Sequence, residues 1–97
     1  MKSRDVQTKE FERLFKALAN KRRLEILVYL TKKKEAMVSD IAHEIRLSFN
    51  STSKHVVLLR HVGILEREQR SLMMFYSRVK PLLKHIEDIL AVLTRSY

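Results

Sequence analysis

The run from Leu47 to Leu65 holds the side chains best equipped to meet a ligand. It reads as a helix with Val56, Leu59 and Val62 on one face and Ser51, Ser53 and Lys54 on the other. Gly63, the only glycine in the chain, ends it. Its opening turns carry hydroxyls, an amide and cations but no carboxylate. Such groups match base edges and phosphates, and their small size lets a helix backbone approach the floor of a DNA major groove. Asn50 has two readings, an amide that pairs with adenine or a helix cap. His55 either contacts phosphate or base, or holds a structural hydrogen bond. Val57 falls near the same side, where it could touch a thymine methyl or pack against neighbouring structure.

Composition agrees with a polyanionic partner. The chain of 97 residues has a formal net charge of +9, from 20 Lys and Arg against 11 Asp and Glu. A basic excess of this size favours nucleic acid, here double-stranded DNA. The length, 1–97, is that of one domain. A domain this short buries only about 60–65% of its unfolded surface. Its 45% hydrophobic content exceeds what a small polar monomer needs, so part of the apolar surface is expected to meet a second copy. The absence of cysteine excludes disulfides and thiolate chemistry. Met1 to Lys9 lacks the apolar centre of a signal peptide, and no apolar run could span a bilayer. No membrane association is expected, and the expected location is cytoplasmic.

Several elements must position the Leu47–Leu65 helix. Phe11, Leu14, Phe15 and Leu18 recur at helical spacing and predict a first helix from about Lys9 to Leu18. Asn20 is placed to cap a second helix, buried through Leu24, Ile26, Leu27 and Leu30. Lys21, Arg22 and Arg23 at its start oppose the helix dipole; they read either as a phosphate site or as a solvated basic face. Lys32 to Lys34 reads as a charged turn. A third helix, Val38 to Ile45, and a turn at Arg46 to Phe49 lead to the fourth, Asn50 to about Val62, with Ser48 as its cap. Ile64 to Glu68 and Leu72 to Ser77 predict a hairpin with its tip near Gln69, Arg70 and Ser71. Pro81 fits the first turn of a last helix running to about Thr94. The predicted fold is mainly α with a small β-hairpin, in the order α-α-α-α-β-β-α. Helices three and four form a helix-turn-helix and the hairpin a wing.

Three segments in order resemble the ArsR/SmtB family of winged helix-turn-helix regulators. Phe15 to Leu27 resembles the family's KALADPTRLRIL, Leu47 to Leu65 its LSQPTVSRHLKVLREAGLV, and Phe75-Tyr76 the aromatics that close its wing. The resemblance covers Phe15 to Ser77 without a gap. It implies a homodimeric transcriptional regulator, most simply a repressor, with two such helices in successive major grooves of a palindromic operator. It also implies dimerisation through the first and last helices, for which Phe11, Leu14, Leu83, Ile86, Leu90 and Leu93 are available. The DNA-contacting set is then Asn50, Ser51, Ser53, Lys54 and His55, with Arg67 and Arg70 of the wing on sugar-phosphate or in the minor groove. Ser71 stands where the family's wing has glycine.

The departures bear on regulation. Met37 and Ser39 occupy the two cysteine positions of the family's ELCVCDL metal motif, and a thioether with a hydroxyl makes no transition-metal site. The ligand positions on the family's last helix fall on Lys80, Leu82, Leu93 and Ser96. His43, His55, His61 and His85 are scattered, and Met37, Met73 and Met74 read as core filler. Neither a metal nor any other cofactor is expected, and no catalytic constellation emerges, so an enzyme is not expected. The effector would be an unidentified small molecule or protein. Two other readings use the same residues: a winged-helix module for protein interaction, and an architectural protein that binds DNA without regard to sequence.

Overall fold

The computed structural model describes residues 4–80, 82 and 84–97. Helix α1, Arg4–Leu18, begins five residues earlier than the apolar spacing predicts, because its first turns are polar and carry no such signal. Asn20 caps α2, Lys21–Lys33: its backbone is extended and its side chain accepts from the Arg23 N–H at 3.1 Å. Lys34 ends that helix at φ 73°, so the expected lysine turn shrinks to one residue. Strand β1, Glu35–Ala36, follows, and α3, Val38–Ile45, matches its predicted bounds.

Arg46 makes the turn between α3 and α4 in the left-handed region, at φ 56°. The Leu47 N–H returns to the Ala42 carbonyl at 3.1 Å, which satisfies an otherwise orphaned end of α3. Ser48 then caps α4, Phe49–His61, accepting from the Ser51 N–H at 3.1 Å. Beyond α4, Gly63 takes φ 82°, where a side chain would be strained, and Ile64 N–H bonds back to Leu59.

Strands β2, Leu65–Arg70, and β3, Met73–Arg78, form an antiparallel hairpin, and β1 pairs with the far edge of β3 to give the order β1-β3-β2. The sequence pattern predicts no strand at β1; two residues have no alternation to detect. The hairpin turn is also one step later than expected. Arg70 pairs with Met73, leaving Ser71-Leu72 as a two-residue loop with Ser71 at φ 57°, the positive angle such loops require. Helix α5, Lys84–Arg95, completes the chain. Pro81, expected in its first turn, lies outside the described residues.

Ile26, Leu27 and Leu30 of α2 form the centre of the core, against Ile41 of α3, Val56 and Leu59 of α4 and Leu65 of β2. Arg78 is a buried cation, 8% exposed, held by Glu87 of α5 and by the Thr31 hydroxyl of α2 at 2.9 Å. It ties the sheet to both helices.

Candidate nucleic-acid interface

The inner side of α4 is fixed by Thr52, Val56 and Leu59, all fully buried. The opposite side follows from 3.6 residues per turn. Asn50, Lys54, Val57 and His61 form that outward stripe, and all four are exposed. Ser51 is also exposed and Ser53 is half-buried at the edge of the stripe. With Ser48 already capping the helix, the Asn50 side chain is not needed as a cap. The structure thus brings Asn50, Ser51, Ser53 and Lys54 together on one open surface. Phe49, 56% exposed at the first turn, and His61 are not in the predicted DNA-contacting set; only the buried face identifies them as outward-facing.

His55 has turned away from the stripe. Its Nδ1 accepts from Arg23 Nε at 3.2 Å, leaving the proton of the neutral ring on Nε2. Burial, then the charges of Arg23 and Arg22, push the imidazole below its ordinary pKa. Arg23 also donates to the Ala17 and Lys16 carbonyls at the end of α1, at 3.4 and 3.5 Å. Arg22 donates to the Ile45 carbonyl at the end of α3, at 2.7 Å, and pairs with Glu25. Two of the three cations at the start of α2 therefore serve the C-terminal ends of other helices, where positive charge is favoured. Of the three, Lys21 alone is exposed.

A groove of about 480 Å³ runs between α1 and α4. Val57, Leu58 and Val62 line it together with Arg13 and Lys16 of α1, Lys54 and His61. On the hairpin, Arg67 is exposed, and strand alternation puts it on the face that carries Leu65 into the core. Arg70 lies on the other face. Its guanidinium pairs with Glu35 of β1 and Glu68 of β2 and stacks over Phe75, 4.3 Å from the ring centre. The two wing arginines are thus unequal. The outermost part of the turn is Leu72, 97% exposed.

Comparison with known proteins places this arrangement. No protein-family model matches the chain. It is 34% identical over 64 residues to the transcriptional activator HlyU of Vibrio cholerae, a match that takes in 66% of this chain and 58% of that protein. The structure of PagR, a transcriptional repressor of Bacillus anthracis, is similar with a TM-score of 0.76 at 27% identity, over 91% of this chain and 97% of that one. A homodimeric winged helix-turn-helix DNA-binding domain from Mycobacterium bovis, described as a possible ArsR-family transcriptional regulator, has a TM-score of 0.79 at 24% identity, over 98% and 86%. That last likeness bears on fold alone. This chain has the winged helix-turn-helix fold and is similar to transcriptional regulators.

Within this winged helix-turn-helix, the terminal helices divide differently from expectation. Ile86 and Leu90, expected between copies, are 6% and 2% exposed within the chain's own core, packed on α2. The reason is the phase of α5: the turn that sets Glu87 against Arg78 brings its neighbours Ile86 and Leu90 inward. Leu83 lies outside the described residues. Leu14 and Leu93 are half-buried and Phe11 sits at the exposed margin, stacked on Phe15 with ring centres 6.1 Å apart. The open apolar surface is carried instead by Phe15, Ile89 and Val92, at 58%, 64% and 55%. Among the described residues no three His, Asp or Glu gather as metal ligands, and no helix is long and apolar enough to cross a membrane.

Proposed function

We propose that this chain is a sequence-specific, DNA-binding transcriptional regulator, a homodimer that binds a palindromic operator and represses by occluding the promoter. The observation that carries the reading is the outward stripe of α4, with Asn50, Ser51 and Lys54 exposed opposite a fully buried face. Amide, hydroxyl and ammonium groups can read base edges, while Arg67 and the surrounding excess of positive charge engage phosphates. Homodimerisation is supported by the apolar surface on α1 and α5 and by the homodimeric domain that shares the fold. Similar proteins include both a repressor and an activator. Occlusion requires only the bound dimer, so the proposed action is repression. With no cysteine the chain has no thiolate for sensing metal, and the regulation proposed is by a small molecule, a protein partner or the protein's own concentration.

The test is selection from a random duplex pool, followed by binding of the enriched sequence at two salt concentrations. An inverted repeat with half-site centres about 10–10.5 base pairs apart, or a multiple, is the expected product. Alanine at Asn50 or Lys54 should cost about 1–3 kcal/mol on that sequence and relax one base-pair preference. Affinity that falls steeply with salt but ignores sequence would instead make this an architectural protein. No affinity for DNA at low salt would make it a protein-interaction module.

A further inference from the structure

Val57 is the one aliphatic side chain on the outward stripe of α4, and it is 41% exposed. We infer that it reads the C5-methyl of a thymine in the major groove, an inference that rests on the DNA-binding function proposed above. Stability of the helix offers no account of the residue. A β-branched side chain is a weaker helix former than most, and 41% of this one stays exposed. It lines the groove with α1, beside Leu58 and Val62. Its surroundings are cationic, with Lys54 one turn before it and Arg13 and Lys16 across the groove. An apolar patch ringed by positive charge calls for a partner that is polyanionic yet presents an apolar group at its surface. The thymine methyl is the apolar group that a DNA base edge displays in the major groove. Three residues along a helix advance about 4.5 Å, more than the rise of about 3.4 Å per base pair. With Lys54 at a base edge or phosphate, Val57 therefore lies about one step further along the groove.

The experiment uses the duplex enriched in the selection above and replaces its thymines one at a time by deoxyuridine, which removes only the methyl. Wild-type protein should lose about fourfold in affinity at one thymine per half-site, the worth of burying one methyl-sized group. Val57→Ala should bind the thymine duplex about fourfold more weakly and show no further loss with deoxyuridine at that position. The exposed position lets this variant fold. If every deoxyuridine duplex binds wild type unchanged, or the loss persists undiminished in Val57→Ala, the inference is wrong while the regulator reading stands. Enrichment of no sequence would overturn the regulator reading and this inference with it.

Discussion

His55 joins the candidate interface to the core, and its protonation should show in stability. Folded, its proton affinity is lowered by burial and by Arg23 and Arg22; unfolded, it returns to the ordinary value of 6.5. As pH falls below about 6.5 the unfolded chain takes up the proton first, so stability is present above that value and lost on descent through the lower folded pKa. The melting temperature of the wild type should therefore drop more between pH 7.5 and 5 than that of His55→Gln, whose amide oxygen can still accept from Arg23. Carboxylates titrate in both proteins and cancel in the difference. Equal pH dependence would contradict the assignment of His55 as a neutral acceptor. Thr52 offers a second check. Its hydroxyl is buried in α4 without a hydrogen-bond partner among the described residues, an unfavourable place for a polar atom. Thr52→Val keeps the shape and removes the polar atom, and should stabilise by about 1 kcal/mol, read as a higher urea midpoint at unchanged slope.

Within the hairpin, two arginines of similar sequence context have different uses. Arg70 bridges Glu35 of β1 and Glu68 of β2, and its pairing holds its pKa above the ordinary value. A guanidinium so engaged has to leave two carboxylates before it can serve a phosphate. Arg67 has no such tie among the described ion pairs and faces the side of the sheet nearer α4. Arg67→Ala should reduce the salt dependence of DNA binding by about one counterion per half-site, whereas Arg70→Ala should leave it nearly unchanged. The slope of log affinity against log salt measures both. A larger change for Arg70 would mean that its carboxylate pairs yield to DNA.

The assembly turns on which apolar residues the monomer leaves uncovered. Helix α1 buries only Ala17 outright, and α5 turns Ile86 and Leu90 inward and Ile89 and Val92 outward. A stable pairing of two copies needs about 1,000 Å² or more of buried surface, and the outer faces of α1 and α5 are the apolar area on offer. Ile89→Asp with Val92→Asp should yield folded monomers, with unchanged helical circular dichroism and half the mass by light scattering. Ile86→Asp should unfold the chain, because it places a charge in the core. Wild type that is monomeric at micromolar concentration would remove the homodimer from the proposed function.

Periodicity and caps are local, which is why the sequence by itself determined so much of this protein. The helices around Ile26, Ile41 and Val56 follow from apolar spacing near 3.6. Asn20 and Ser48 cap the predicted helices with their own side chains, and Gly63 ends α4 with a conformation that favours glycine. The polar stripe of α4 was legible for the same reason. Only the tertiary structure decided where long side chains and weak elements go, because their partners are remote in sequence. Arg23 reaches His55, Arg78 reaches Thr31, and Arg70 reaches Glu35; no spacing rule links these pairs. β1 exists because β3 offers it an edge, and its pairing there moved Glu35 within reach of Arg70. On α5, apolar spacing marked a broad face without saying which half meets this chain. The contacts with α2 and the Arg78–Glu87 pair settled that phase, and they left Ile89 and Val92 on the outside.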